Sequence, residues 1–443
     1  MILIHNKTRF FFLFLLAFAV FIACNPARRS SGTTRPNAPT KPIPGKPAPM
    51  DTIRWKPNNA GKPPIGGVPD KPAPPAAGAT YHLAFLMPFL SSQMTGGAVP
   101  EKSRLAVQFY AGAKVALEQL STEERINIVA DVWDTQANDA DFQKLMTNPR
   151  LEKASVFIGP VRSSHLESFA PWTKARRKIL ISPESPSTDL TAQNPDFIQI
   201  NPSLRAHCEA ITRYIRKASR PDAVTLVCKQ KEAERLVYFQ DANTSIGGST
   251  RFAELLVSDE TNNFDKVDLR RYLRAGRTSV FVIPTWASQD FVMAFLRRLK
   301  EVKGSNQVEV YGMPQWRNFD AIDAEYLSSL NVHISSSSWL DYSKQEVKDF
   351  QEKFYTATGT IPDEDGFNGY DVTLFTGRML AKYGLSFPER LDDVTTSTLR
   401  GQFSFSKIFG SGAVDDGRNS PDYWENTFVH ILKFDKFSYV PVE

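Results

Sequence analysis

The sequence lacks the residue patterns that mark most catalytic and metal-binding proteins. Its 443 residues include only six histidines and three cysteines, and the histidines are scattered along the chain. The motifs G-x-S-x-G, G-x-x-x-x-G-K, H-E-x-x-H and C-x-x-C do not occur. The sequence therefore predicts neither an enzyme nor a protein with a metal or cofactor.

The chain also lacks an apolar run of the about 20 residues that a membrane-spanning helix needs. The longest run, Phe10–Ala23, has 14 residues, follows a basic start and precedes Cys24. This layout is typical of a secretory signal. The sequence FIAC at 21–24 resembles a lipobox, so we expect a signal peptide over residues 1–23 and a lipid on Cys24. An ordinary signal peptide with a chance cysteine is the alternative.

Residues 24–78 are predicted to form a disordered tether. Of the chain's 30 prolines, 14 lie between residues 25 and 78, where apolar periodicity is almost absent. Such a segment buries too little surface to offset the entropy of ordering it. As extended polyproline at about 3.1 Å per residue, it would reach roughly 170 Å.

The net positive charge of the chain comes from these first two segments. The chain carries +5, of which the signal contributes +2 and residues 25–78 contribute +7, which leaves −4 for the remainder. The high pI therefore predicts no nucleic-acid partner; a basic stalk suits anionic headgroups or cell-wall polymers. The five residues directly after Cys24, Asn25–Arg29, include no acid, which favours a protein that is anchored in the inner or outer membrane and faces the periplasm.

The remaining 365 or so residues alternate buried strands with helices, which predicts an α/β fold. Tyr81–Phe89 has the length of a buried strand, and Ser103–Leu120 has apolar residues at helical spacing. The same alternation continues through the chain and predicts parallel sheets with helices on both faces. The length favours two domains. Ligands of such sheets bind beyond the carboxyl ends of the strands.

Several segments together resemble the type I periplasmic binding proteins of the leucine/isoleucine/valine-binding kind. They are DTQANDADFQKL at 134–145, FIGPVRSS at 157–164, ILISPESPSTDLT at 179–191, FIQINPSLRAHCEAITRYI at 197–215 and FNGYDVTLF at 367–375. The resemblance implies two doubly wound parallel-sheet lobes joined by three crossovers, with a ligand in the cleft. Mapped onto this chain, lobe one takes residues 79–202 plus 340–395, and lobe two takes residues 203–339 plus 396–443.

In lobe one, the resemblance implies ligand contacts by Ser163, Ser164, Glu184 and Ser185. The two serines of the first pair follow a strand where a helix begins, and hydroxyl and backbone N–H groups there suit an anion. Capping of the helix explains Ser164 equally well. Glu184 would repel a ligand carboxylate, which argues against an α-amino acid.

In lobe two, the resemblance implies ligand contacts by Trp286 and Gln315, which follow strands. An aromatic side chain offers flat apolar surface to a ligand, but packing within the lobe is an alternative for both residues. The acids at 363–365 lack the spacing of a calcium loop, so we expect a solvated loop before a helix there.

Two functions are compatible with these features. The first is a tethered receptor that binds a small polar solute, such as an amino acid or peptide, and presents it to an ABC transporter permease. The second is an interaction module without transport that regulates an envelope or peptidoglycan synthase. This second function is implied by similarity to the lipoprotein activators of penicillin-binding proteins, and the long tether favours it. A receptor needs convergent polar groups in its cleft, whereas an interaction module can fill its cleft with bulky side chains.

Overall fold

The computed structural model describes residues 52–55, 78–95, 99–124, 126–136, 138–260, 264–410 and 421–442, with only the backbone for 52–55. The predicted signal peptide, Cys24 and nearly all of the tether lie outside these ranges. The strands are β1 (Thr52–Trp55), β2 (Thr80–Met87), β3 (Asn127–Asp134), β4 (Val156–Ile158), β5 (Ile179–Ser182), β6 (Phe197–Gln199), β7 (Val224–Lys229), β8 (Ala253–Val257), β9 (Ser279–Val282), β10 (Val308–Gly312), β11 (Val332–Ser336), β12 (Thr395–Ser397), β13 (Gln402–Ile408), β14 (Tyr423–Asn426), β15 (His430–Asp435) and β16 (Ser438–Pro441).

Nine α-helices are found among the described residues. They are α1 (Arg104–Glu123), α2 (Asp139–Met146), α3 (Ser163–Ala175), α4 (Leu204–Ala218), α5 (Leu236–Ser245), α6 (Gln289–Lys303), α7 (Ala324–Ser329), α8 (Gln345–Thr358) and α9 (Glu364–Tyr383). Within this part of the chain, no helix has both the length and the apolar character needed to cross a bilayer.

The strands form two sheets, which confirms the predicted α/β class with two lobes. The first sheet has the order β1-β3-β2-β4-β5-β6-β14-β13-β12, and the second has the order β16-β15-β11-β10-β9-β7-β8. The central strands of each sheet are parallel. Antiparallel strands lie at both edges of the first sheet and at one edge of the second, whose other edge strand, β8, is parallel to β7. The chain passes between the sheets three times, at residues 200–203, 337–344 and 427–429.

The last crossover lies later in the chain than the expected lobe boundary. We expected residues 396–443 in lobe two, but β12, β13 and β14 extend the first sheet, and only β15 and β16 join the second. The physical reason is packing: Phe403 and Phe405 of β13 lie 5.2 and 5.4 Å from the ring of Phe375 in α9. Lobe one therefore includes residues up to Asn426.

Lobe one is held together by an unusually close approach of α1 and α9. A Cβ atom at Gly369 of α9 would lie 1.9 Å from the carbonyl oxygen of Phe109 in α1, and one at Gly112 would lie 1.9 Å from the carbonyl oxygen of Gly366. Only glycine permits backbones to approach this closely. The contact fixes the position of the amino end of α9, which borders the cleft.

Lobe two has its own core of apolar side chains from both faces of the second sheet. Cys208 of α4 and Cys228 of β7 are fully buried within it as free thiols. Burial raises the pKa of both thiols, so they remain protonated and pack as small apolar groups.

Candidate functional site

A polar cavity of about 140 Å³ lies where the crossovers meet lobe one. Its walls come from the loop after β5, the first two crossovers, the end of β14, the amino end of α9 and the segment between β12 and β13. The lining residues are Pro183, Glu184, Ile200, Asn201, Ser337, Ser338, Glu364, Asp365, Asn368, Arg400, Phe403 and Asn426. The cavity therefore lies at the carboxyl ends of parallel strands, where ligands of such sheets bind.

Glu184 is held in this cavity by two asparagines. The side-chain amide of Asn201 in the first crossover donates to the Glu184 carbonyl oxygen at 2.8 Å. The amide of Asn368 in α9 donates to Oε1 of the Glu184 carboxylate. Burial raises the pKa of Glu184 to about 7, although nearby Arg400 acts in the opposite direction. A carboxyl group that changes charge near neutral pH thus faces the cavity.

Arg400 and Asp371 form the wall behind Asn368. The Arg400 guanidinium donates through Nη2 to the Asn368 side-chain oxygen. Its Nε lies 3.5 Å from Oδ2 of Asp371, whose side chain is only 3% exposed. The Asp371 carboxylate also accepts from the backbone N–H groups of Leu399 at 2.9 Å and Arg400 at 3.2 Å. Burial raises the pKa of Asp371, and Arg400 opposes this shift.

The amino end of α9 supplies three acids with different partners. Asp363 caps the helix by accepting from two backbone N–H groups and pairs with Arg104 at 3.0 Å. Glu364 pairs across the lobes with Arg317, at 3.5 Å between Oε1 and Nη1. Asp365 lines the cavity, and burial together with the charge of Asp363 raises its pKa to about 6. The expected solvated loop is therefore a helix end with two acids, Glu364 and Asp365, in the cavity lining.

The raised pKa of Glu184 predicts how a Glu184→Gln variant depends on pH. The folded state binds this proton more tightly than the unfolded state, so the wild type loses stability as the pH rises from about 4.5 to 7. Glutamine carries no charge, and we expect the variant to be more stable than the wild type by about 2 kcal/mol at pH 8. The gain should vanish at pH 4. Urea unfolding at both pH values measures the difference, and a variant less stable than the wild type at pH 8 would contradict this description of Glu184.

Of the residues predicted for lobe one, the structure places Glu184 in the cavity and the others outside it. Ser185 is buried and its hydroxyl accepts from the backbone N–H of Ser187 at 3.3 Å. Ser163 is exposed at the first position of α3, and the Ser164 hydroxyl donates to Asp139 at 3.0 Å. Ser164 therefore links α3 to α2 and does not cap its own helix.

The two residues predicted for lobe two lie outside the lining of this cavity. Trp286 is half-buried and contacts the ring of His207 edge-on at 5.8 Å. Gln315 precedes Trp316, whose indole N–H donates to the carbonyl oxygen of Thr285 at 3.1 Å. The Gln315 side-chain oxygen is buried and has no hydrogen-bond partner within the described part of the chain. A ligand role for these two residues stays a prediction.

Sequence reasoning missed Arg400, Asn368, Asp365, Asn201 and Ser338. Asn368 lies inside the segment FNGYDVTLF, two residues before a Tyr-Asp pair. An amide at the start of that predicted helix could have indicated a site residue. Arg400 follows a strand too short to detect from periodicity. Nothing in the sequence indicates that it reaches Asn368.

Comparison with known proteins is consistent with this architecture. A family model described as periplasmic binding protein matches residues 101–424. No curated protein sequence matches the chain.

Solved structures with a similar fold include the following three proteins. One is a protein assigned as a branched-chain amino acid ABC transporter of Rhodospirillum rubrum (TM-score 0.59, 12% identity, covering 82% of this chain and 100% of that chain). Another is a branched-chain amino acid ABC transporter periplasmic ligand-binding protein of Burkholderia xenovorans (0.55, 12%, 82% and 94%). A third is an ABC transporter substrate-binding protein of Desulfitobacterium hafniense in complex with Leu (0.51, 15%, 82% and 100%). At these identities the likeness concerns the fold alone.

Proposed function

Since the chain belongs to the periplasmic binding protein family, of the type I, leucine-binding-protein-like kind, we propose that it is a tethered receptor that binds a small polar solute between its lobes. The lipid on Cys24 would anchor it, facing the periplasm, and an ABC transporter would recognise the occupied form. Binding rather than catalysis is the role that this family membership supports.

The observation that carries the proposal is the convergence of polar side chains in the cavity. Acids, amides, a guanidinium and hydroxyls from lobe one and the crossovers line it. A module that only docks on a protein partner has no need of convergent polar groups in a recess of this kind. This lining therefore supports a receptor over a regulator of an envelope synthase.

The ion pair between Arg317 and Glu364 supports a change of lobe geometry on binding. Arg317 follows β10 in lobe two, and its Nη2 also donates to the Ser336 hydroxyl at 3.3 Å and the Ser338 carbonyl at 3.5 Å. Glu364 is at the start of α9 in lobe one. A pair that connects two lobes at the edge of a cavity favours one relative position of the lobes, and a ligand favours whichever position it contacts better.

We expect a cognate solute to raise the thermal stability of the full-length protein. A ligand at 100 times its Kd adds about 2.7 kcal/mol to the free energy of unfolding. A thermal-shift screen with amino acids, amines, short peptides and cell-wall fragments would measure this. Absence of any shift, together with co-purification of a cell-wall synthase, would favour the interaction module.

A further inference from the structure

We propose that the cavity takes a compact organic cation, whose ammonium or guanidinium group is bound by Glu184 and Asp365. This inference rests on the proposed receptor function and gives the chemical class of its ligand. A cation differs from the anion that Ser163 and Ser164 suggested, and it agrees with the expectation that Glu184 would repel a ligand carboxylate.

The balance of charge around the cavity favours a cation. Arg400 is the one cation in the lining, and its charge is offset by the buried Asp371 behind it. Glu364, also in the lining, is paired with Arg317. Arg400 also attracts the carboxylates of Glu184 and Asp365. The three lining acids and Asp371 nevertheless outnumber Arg400 and Arg317, so a positively charged ligand gains more from this cavity than an anion does.

The raised pKa values agree with this balance. Burial is the largest cause for both groups, and it brings the pKa of Glu184 to about 7 and that of Asp365 to about 6. Repulsion by Asp365 and Glu364 also raises the pKa of Glu184. A bound cation would relieve both effects, because it supplies the opposite charge in a recess where water is scarce.

The hydrogen-bonding side chains of the lining also favour a cation. Three asparagines line the cavity, and each already donates to a protein oxygen: Asn201 to the Glu184 carbonyl, Asn368 to the Glu184 carboxylate, and Asn426 to the Ile200 carbonyl at 3.1 Å. One N–H group of each amide is therefore already used within the protein. Carboxylate oxygens remain available, and a cation carries the N–H groups that they accept.

A hydroxyl group that lines the same cavity is open to a ligand. Ser338 is 8% exposed and lines the cavity from the second crossover. Its backbone N–H donates to the Ser336 hydroxyl, and its carbonyl accepts from the Ser336 hydroxyl and from Arg317. Its own hydroxyl makes no hydrogen bond to any described residue. The Ser338 hydroxyl is therefore a polar group of the cavity that can bond to a ligand.

The size of the cavity limits the ligand. A single water molecule needs about 10–15 Å³ of such volume. A cavity of about 140 Å³ therefore holds on the order of ten non-hydrogen atoms. No group of three or more His, Cys, Asp or Glu side chains arranged to hold a metal ion occurs among the described residues, so we assign the site to an organic cation.

Calorimetric titration of the full-length protein at pH 8 with a matched series tests this assignment. The series is 1,5-diaminopentane, 5-aminopentanoate and glutarate, which share five carbons and differ in charge, with leucine added as a zwitterion of similar size. We expect the diamine to bind most tightly and glutarate not to bind. Glu184→Gln and Asp365→Asn should each weaken the diamine at least tenfold, and Glu167→Gln, an exposed acid on α3, should leave its Kd unchanged.

The outcomes separate this inference from the receptor function. Binding of leucine or glutarate in preference to the diamine would overturn the cation assignment and leave the receptor function supported. Diamine binding that survives both substitutions would place the cation elsewhere and also overturn it. If no member of the series binds, the cation assignment fails, and the broader thermal-shift screen then decides the receptor function on its own. Circular dichroism of each variant checks that it is folded.

Discussion

A Gly369→Ala variant is expected to lose about 3 kcal/mol of stability, because the added methyl group overpacks the contact between α1 and α9. The new Cβ would lie 1.9 Å from the Phe109 carbonyl oxygen and 2.8 Å from the Phe109 Cα. These neighbours are backbone atoms of a long helix and cannot move aside singly. The two helices must separate, although alanine by itself favours a helix by about 1 kcal/mol over glycine.

Gly377→Ala in the same helix is the matched control. Its Cβ would lie 2.1 Å from Cδ1, 2.7 Å from Cδ2 and 2.9 Å from Cγ of Leu120. All three are side-chain atoms, which can shift without moving a helix backbone. We expect this variant to stay within about 1 kcal/mol of the wild type, since the gain in helix propensity offsets the repacking. Urea unfolding of both variants measures the difference. An equal loss of stability in the two variants would show that the contact between α1 and α9 does not require a glycine at position 369.

An Arg400→Met variant is expected to lose about 3–5 kcal/mol at pH 8, because a buried carboxylate is left without its cation. Asp371 would keep its two backbone donors but lose the guanidinium, and Asn368 would lose the donor to its side-chain oxygen. At pH 5 Glu184, whose pKa is about 7, is protonated and no longer gains from the charge of Arg400. The loss of stability should therefore be smaller at pH 5 than at pH 8.

Arg378→Met, at an exposed arginine of α9, is the control for the loss of an arginine as such. Arg378 is 41% exposed and pairs with Glu123 at 3.4 Å and Glu124 at 3.1 Å. Exposed pairs contribute about 0–1 kcal/mol, so this variant should remain close to the wild type at both pH values. Denaturant unfolding at pH 5 and pH 8 provides the four comparisons. A loss at Arg400 that does not change with pH would argue against its role beside the carboxyl groups.

Most of the fold could be predicted from the sequence because its strands are continuous apolar runs. β2 was expected over Tyr81–Phe89 and spans Thr80–Met87, and α1 was expected over Ser103–Leu120 and spans Arg104–Glu123. The lobe boundary near the carboxyl end could not, because β12 and β14 have only three and four residues. Short strands acquire their partners through tertiary contacts that no local pattern encodes.

The candidate site was only partly accessible to sequence reasoning for a related reason. Glu184 follows a strand and could be identified from its position in the chain. Its partners Asn368 and Arg400 come about 200 residues later, and the hydrogen bonds that join them depend on how α9 enters the lobe. A donor-and-acceptor count of the cavity requires the folded chain.

The pairing of β1 with β3 changes the length of chain available to the predicted tether. Thr52–Trp55 lie antiparallel to β3, with Thr52 opposite Asp131 and Trp55 opposite Ile128, and they cover the edge of the first sheet. An open edge invites other chains to add strands, so this segment protects lobe one from such association. In the predicted tether, about half of the residues then lie between Cys24 and Thr52, and as extended polyproline they would reach about 80 Å. If Cys24 carries the predicted lipid, we expect the distance between lobe one and the membrane to depend on whether these four residues remain paired with β3.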